Sequence, residues 1–308
     1  MPTIARILCP IDFSDFSRRA LDYSIVLARW YRASIAALHV HQPPVPHVAP
    51  LAPLAPVEPV ALPPIDLDLV RRQIAAFVPQ DCQTEVSIET LAAEGDPARE
   101  ILAAAESADL IVMGTHGRSG FERLVLGSVT ETVLRKATCS LLTIPLTAPD
   151  AAGPVPIVFR RIVAAVDFSD VSMEALRQAA SLAAEADAHL TAMHVIEVPE
   201  YLALWIDRVD GINHVRAWAD AAERRLRCAV GPETREYAHV GQRVETGKAY
   251  REILRVAGEQ QADLIVMGAH GHGVIEQMFV GSTTQHVVRR AGCPVLIVRQ
   301  RSSSGGHR

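Results

Sequence analysis

Two stretches of the chain carry glycines at one shared spacing. Gly114-Thr115-His116-Gly117 is followed, after nine residues, by Gly127-Ser128; Gly268-Ala269-His270-Gly271 is followed, after nine residues, by Gly281-Ser282. These residue types suit a phosphate-like anion. Glycine after a strand allows φ > 0 or a close approach of backbone to ligand, and successive N–H groups make an anion-binding concavity. A helix that opens at Gly-Ser offers its unpaired N–H groups and the positive end of its dipole, and the serine adds a hydroxyl. A rival reading exists for the serines alone. Ser128-x-x-Glu131 and Ser282-x-x-Gln285 fit a capping box, in which the serine merely closes its own helix. That reading leaves the upstream glycines and the repeated spacing unexplained.

Other chemistries fit the residues less well. Gly247-Lys248 resembles the end of a Walker A loop, but Gln242 stands where the upstream glycine belongs and Ala249 replaces the Ser/Thr. No G-x-G-x-x-G opens a helix after a first strand, so the dinucleotide fingerprint is missing. His116 and His270 lie inside the glycine loops, yet spacing fixes no nucleophile or orienting carboxylate beside them, and no catalytic residue is assigned. His270-Gly271-His272 is weak evidence for a metal, and no metal site is assigned. His39 and His194 are expected to be packed or hydrogen-bonded, Cys139 and Cys293 to be core thiols, and Trp205 and Trp218 to pack.

The elements that must position these loops occur twice. Arg6-Ile7-Leu8-Cys9-Pro10-Ile11-Asp12-Phe13-Ser14-Asp15 matches Arg161 through Asp170, an offset of 155 residues. His39-Val40 matches His194-Val195, Arg99-Glu100-Ile101-Leu102 matches Arg251-Glu252-Ile253-Leu254, and Asp109 through Gly114 matches Asp263 through Gly268. Four matched blocks in one order are a tandem duplication. Each copy alternates short apolar runs with helical patterns, which predicts a parallel sheet with crossover helices. Strands are predicted at 4–11, 34–41, 84–91, 109–114 and 140–146, then at 160–167, 188–196, 235–243, 263–268 and 294–299. Helices are predicted at 15–32, 66–78, 97–107 and 128–137, then at 170–186, 211–229, 248–260 and 282–291. Asp12 and Asp167 then end the first strands, and Gly114 and Gly268 the fourth strands, on the edge where open parallel sheets bind ligands. The expected organisation is a domain over 1–147, a linker over 148–158, a second domain over 159–300 and a disordered tail over 301–308.

Composition narrows the function classes. The 308 residues carry a net charge of −5 and no long basic run, which speaks against non-specific nucleic-acid binding. Five cysteines without C-x-x-C or zinc spacing read as reduced thiols. Neither a secretory signal pattern nor an uncharged apolar run of about 18 residues is present, so the expected location is cytoplasmic, away from membranes.

At these residues the chain resembles the universal stress protein family in its tandem two-domain form. The resemblance rests on Asp12-Phe13-Ser14-Asp15 and Asp167-Phe168-Ser169-Asp170, on the His-Val of the second strand, on Met-Gly-x-His-Gly, and on Gly-Ser-Val/Thr-Thr. It implies two open parallel five-stranded sheets of order 3-2-1-4-5 flanked by helices, Rossmann-like and similar to adenine nucleotide α-hydrolases. It also implies ATP, with Mg2+, between the first and fourth strands. Carried over residue by residue, Asp12 and Asp167 would meet the adenosine end and Val40 and Val195 the adenine. Gly114, His116, Gly117, Gly127, Ser128, Val129 and Thr130 would surround the phosphates in copy one; Gly268, His270, Gly271, Gly281, Ser282, Thr283 and Thr284 would do so in copy two.

In the family, single-domain members pair through the last strand, so 140–146 is expected to pair with 294–299 as an internal pseudo-dimer, with a homodimer as a further possibility. The function implied is an ATP-binding stress-response sensor or regulator read by a protein partner; the alternative is a slow ATPase or a nucleotidyl or phosphoryl transferase using the same loops. The copies differ: within the nine-residue spacer copy one carries Arg118 and Arg123, where copy two carries His272 and Glu276 and no arginine, which predicts tighter ATP binding in copy one. The proline-rich segment 42–64 reads as a stiff loop or a lid over site one.

Overall fold

The computed structural model describes residues 4–43, 65–80, 85–117, 126–149, 157, 159–198, 209–231, 239–271 and 280–300. The first half runs β1 (Arg6–Pro10), α1 (Asp15–Tyr31), β2 (Ser34–His41), α2 (Leu67–Phe77), β3 (Ile88–Glu94), α3 (Pro97–Ala105), β4 (Leu110–Gly114), α4 (Ser128–Lys136) and β5 (Ser140–Ile144). The second half repeats it as β6 (Arg161–Ala165), α5 (Asp170–Ala186), β7 (His189–Ile196), α6 (Val209–Ala229), β8 (His239–Thr246), α7 (Ala249–Glu259), β9 (Leu264–Gly268), α8 (Ser282–Arg290) and β10 (Val295–Val298).

Local chemistry explains the boundaries. Ser14 and Ser169 cap α1 and α5 by accepting from the amides of Ser17 and Ser172. Both helices end in a left-handed residue, Arg32 and Asp187. Asp96 caps α3, with Pro97 at its first position. Gly95 and Gly247, at φ +149° and +152°, make the sharp turn from the third strand into the next helix. The Gly247-Lys248 pair therefore serves that turn, where Lys248 is the N-cap of α7. The third strands lie later than predicted, at 88–94 and 239–246, because they are sheet edges. Their half-exposed faces admit Glu89, Glu94 and Glu245, charges that end an apolar run in the sequence without ending the strand.

The strands form one ten-stranded sheet of order β3-β2-β1-β4-β5-β10-β9-β6-β7-β8, so each half has the expected 3-2-1-4-5 order. Within each half the strands are parallel; β5 and β10 pair antiparallel, with Thr143 opposite Val295, Leu142 opposite Leu296 and Leu141 opposite Ile297. The expected internal pairing of the two halves is therefore present. It covers two strand edges that would otherwise be open to other chains. Apolar cores lie on both faces of the sheet, and each draws residues from both halves. Phe159, which precedes β6, is fully buried against Tyr23 and Trp30 of the first half. Glu131 of α4 and Arg289 of α8 add an ion pair across the junction at 2.7 Å; being exposed, it contributes less than about 1 kcal/mol. Trp218 departs from expectation: it is 44% exposed on α6, an apolar ring at a solvent-facing position. Trp205, the tail and most of segments 42–64 and 148–158 lie outside the described residues. No helix among the described residues is long and apolar enough to cross a membrane.

Burial gives the fold a pH limit. The Cys9 thiol is fully buried in β1, and desolvation pushes it from 9.0 up to about 12, with the Ser24 hydroxyl opposing and Asp22 reinforcing the shift. Burial raises Tyr23 and Tyr31 in the same direction. The unfolded chain then loses these protons before the folded one does, so the native state loses stability as pH rises through the interval from 9.0 to about 12. The urea midpoint is expected to fall between neutral pH and about pH 10.5; an unchanged midpoint would contradict this. At mildly alkaline pH, alkylation mapped by mass spectrometry should reach the exposed Cys228 well before Cys9.

Candidate functional site

The chain leaves β1 at Ile11, whose amide bonds to the Leu38 carbonyl at 2.7 Å, and turns sharply at Asp12. One Asp12 oxygen accepts from the Ser14 amide at 3.0 Å and from the Ser14 hydroxyl. Asp167 makes the same two bonds to Ser169, at 3.0 and 2.6 Å. The residue between is strained in both copies: Phe13 has φ 64° and Phe168 φ 66°, a conformation that costs a non-glycine residue about 1–3 kcal/mol and persists where its surroundings enforce it. Enforcement comes from the second strands. Phe13 packs on the His39 ring at 4.7 Å and Phe168 on His194 at 4.6 Å. Each histidine Nδ1 lies 2.7 Å from a carbonyl oxygen, of Ile11 or Val166. His39 and His194 are thus braces for the aspartate turn, packed and hydrogen-bonded as expected.

The loop glycines are needed for reasons other than positive φ, which none of the six adopts. A Cβ on Gly114 would lie 2.6 Å from the Phe16 Cβ, and one on Gly268 would lie 3.1 Å from a Val171 methyl. These glycines let α1 and α5 sit close on the ends of β4 and β9. A Cβ on Gly117 would lie 2.6 Å from Asp12 Oδ2, and one on Gly271 would lie 2.0 Å from Asp167 Oδ2. The carboxylate after the first strand and the glycine loop after the fourth are therefore in direct contact, which joins the two sequence motifs into one site. Gly127 and Gly281 are different. Their φ values of −58° and −62° suit any residue, and an added Cβ would meet only ordinary contacts, at 3.4 Å and beyond. Internal packing leaves room for a side chain there.

The helix starts also differ from the capping-box reading. Gly127 and Gly281 are themselves the N-caps, and neither helix has a side-chain cap. Their carbonyls take the amides of Glu131 and Gln285, at 2.8 and 3.1 Å. Ser128 and Ser282 fall one position later, exposed, with hydroxyls that do not cap. The first turn of each helix, Ser128-Val129-Thr130 or Ser282-Thr283-Thr284, keeps the unpaired amides that any helix start has. The Thr130 and Thr284 hydroxyls point back and donate to the Gly114 and Gly268 carbonyls at 2.9 and 3.0 Å, locking strand end to helix start. His116 Nδ1 lies 3.0 Å from the Thr115 hydroxyl, while its buried Nε2 has no partner. Copy two has Ala269 in place of Thr115, and there it is the buried His270 Nδ1 that has none.

In copy two these parts close around a cleft of about 440 Å3. All nine copy-two residues singled out in the sequence line it: Asp167, Val195, Gly268, His270, Gly271, Gly281, Ser282, Thr283 and Thr284. The structure adds Met193, Met267 and Ile253 as an apolar wall, and Glu197, whose carboxylate accepts from the first amide of α7 at 2.6 Å. Glu197 escapes motif reading because it sits in the loop after β7, where its counterpart in copy one is Gln42. In copy one, Val40 lies in β2 opposite Ala93, and Asp12, Gly114, Gly117 and Gly127 hold the same mutual positions as in copy two. Arg118, Arg123, His272 and Glu276 lie outside the described residues.

A family model described as the universal stress protein family matches residues 3–145 and again 159–299. The chain belongs to the universal stress protein family. A universal stress protein of Thermus aquaticus is 37% identical over 151 residues, covering 46% of this chain and 100% of that protein. One of Mycolicibacterium smegmatis is 29% identical over 238 residues, 74% of this chain and 75% of its own length. Among solved structures, a universal stress protein from Archaeoglobus fulgidus aligns at a TM-score of 0.63 with 24% identity, covering 96% of this chain and 98% of that one. A universal stress protein fold from Pseudomonas aeruginosa aligns at 0.65 with 18% identity over 97% and 95%. Both structural likenesses span the whole tandem fold.

Proposed function

We propose that each half of this universal stress protein binds ATP, and that the occupied chain acts as a stress-response regulator whose loop conformation a partner protein reads. The observation that carries the reading is the pair of N-cap glycines, Gly127 and Gly281. Nothing in the packing requires glycine there, yet both sit beside unpaired helix amides and an exposed serine hydroxyl. A phosphate supplies the missing partner: it fits against a backbone without Cβ and accepts from the amides. Family membership supports the same reading, as do the unpartnered buried nitrogens of His116 and His270 at the loops.

Each residue has a stated task. Ser128-Val129-Thr130 and Ser282-Thr283-Thr284 present amides to the phosphates. Asp12 and Asp167, fixed by Ser14 and Ser169, face the ribose. The Met193, Met267 and Ile253 wall takes the adenine in copy two, beside the backbone of Val195. Bound ATP supplies negative charge at the helix starts, and Mg2+ would be held chiefly by the phosphates themselves.

The two sites are unequal. Glu197 places a carboxylate in the cleft of copy two, where copy one has Gln42. A carboxylate opposes a polyanion, so site one is expected to bind ATP more tightly. Glu197→Gln should strengthen ATP binding at site two roughly twofold to fivefold in low salt. Calorimetric titration of the full chain, with site one weakened by Gly127→Ala, measures this. Equal affinities at the two sites, unmoved by Glu197→Gln, would refute the asymmetry.

A further inference from the structure

The junction between the halves is built on a pseudo-twofold axis, and one corner of it is filled while its mate is hollow. Leu27 and Leu182, Leu110 and Leu264, and Leu142 and Leu296 are symmetry-related pairs in the shared core, all buried. In the filled corner, Tyr23 of α1 packs on Phe159 at 6.1 Å, and Trp30 meets the same ring edge-on at 5.8 Å. The 155-residue offset places Gln178 at the position of Tyr23, Ile4 at that of Phe159 and Glu185 at that of Trp30. Glutamine, isoleucine and glutamate thus stand where three aromatic rings stand opposite. The consequence is a cavity of about 360 Å3, lined by the leucine pairs together with Ile4, Gln178, Tyr31 and the near side of Phe159 itself. Its size falls within the range of small-molecule sites.

Charge selects the kind of guest. The acidic groups at the rim already have partners. Asp109 accepts from the Ala5 and Arg6 amides at 2.7 and 2.9 Å. Glu174 is held by Arg177 and Gln178. The Arg299 guanidinium donates to the Leu134 carbonyl at 2.6 Å. A cationic guest would find no unpaired carboxylate in the hollow, and burying its charge would be costly; the buried Arg299 guanidinium, whose side-chain partners are carbonyls, favours an electron-rich oxygen instead. With its amide nitrogen donating to Glu174, Gln178 offers its carbonyl oxygen as an acceptor, and Tyr31 offers a phenol.

We propose that this hollow corner binds one small planar aromatic molecule bearing a single hydrogen-bonding group and no positive charge, a phenol or indole type of compound that stands in for the missing tyrosine ring. The site holds one molecule per chain because Tyr23 occupies the symmetry mate. It lies at the junction of the halves and is independent of the nucleotide reading.

The test uses 2-naphthol, whose fluorescence reports transfer from water to an apolar site, titrated into the full chain. The expected result is saturable binding at one molecule per chain. It should weaken at least tenfold in Gln178→Tyr, which copies the filled corner, and also in Ile4→Phe, which copies the other half of the aromatic pair. Both variants should keep the wild-type circular dichroism spectrum; if one does not fold, the other decides. No saturable binding to the wild-type chain would overturn the proposal. So would a stoichiometry of two, or equal binding by the folded variants.

Discussion

Alanine at both Gly127 and Gly281 is expected to weaken ATP binding by the full chain at least tenfold while costing only about 1 kcal/mol of stability per helix. The small stability cost follows from geometry. Both residues have helix-compatible φ, and an added methyl group meets no atom closer than 3.4 Å. The remaining cost is the poorer N-cap quality of alanine relative to glycine. The large binding cost follows from where the methyl points if phosphates rest on the helix starts: a Cβ would hold the anion off the amides it needs. Gly114→Ala is the control with the opposite profile. Its methyl would lie 2.6 Å from the Phe16 Cβ, and such overpacking costs about 1–3 kcal/mol. Urea unfolding and calorimetric ATP titration separate the two outcomes. Unchanged ATP affinity in the folded double variant would mean that these glycines do not serve a nucleotide.

Ile297→Asp is expected to cost about 3–5 kcal/mol, the scale of an uncompensated buried charge. Ile297 is fully buried in the junction, opposite Leu141 in the antiparallel pairing of β5 with β10. An aspartate there would place its carboxylate in the apolar cluster that Ile297 helps to form. Loosening the junction also uncovers two strand edges, so the variant should self-associate in a concentration-dependent way. Urea unfolding and light scattering after size exclusion would measure both effects. A wild-type unfolding midpoint would show that the two halves are stable without their shared sheet.

The repeat made most of the fold legible. Runs such as Leu110-Ile111-Val112-Met113 are buried on both faces, and their continuous apolar character marks central parallel strands. The junction was legible through the family resemblance, which implies pairing through the last strand, as β5 and β10 pair here. The third strands were misplaced because edge strands tolerate charge, so hydrophobic pattern alone does not mark their ends. In the site, the glycine loops and the aspartates that end the first strands were legible from type and spacing, and Val40 and Val195 through the family resemblance, but the reasons for them were not. Gly117 reads as conformational freedom in the sequence; in three dimensions it is the space taken by Asp12, more than a hundred positions away. The serines read as caps because S-x-x-E is a local pattern, whereas Gly127 takes the cap through its own carbonyl. Glu197 left no mark in the sequence, since a lone acid after a strand carries no motif; Phe13 and Phe168 lie in the repeated Asp-Phe-Ser-Asp turn, but an aromatic there does not announce a positive φ.

The most direct test of nucleotide binding is to purify the full chain without added nucleotide, denature it, and identify and count the released small molecules by chromatography with mass spectrometry. The account predicts ATP in stoichiometric amount from the wild-type chain and a strong loss of it from the Gly127→Ala, Gly281→Ala double variant. A wild-type chain that releases no adenine nucleotide and takes up none when ATP is titrated into it would contradict the account, and the glycine loops would then be structural corners alone.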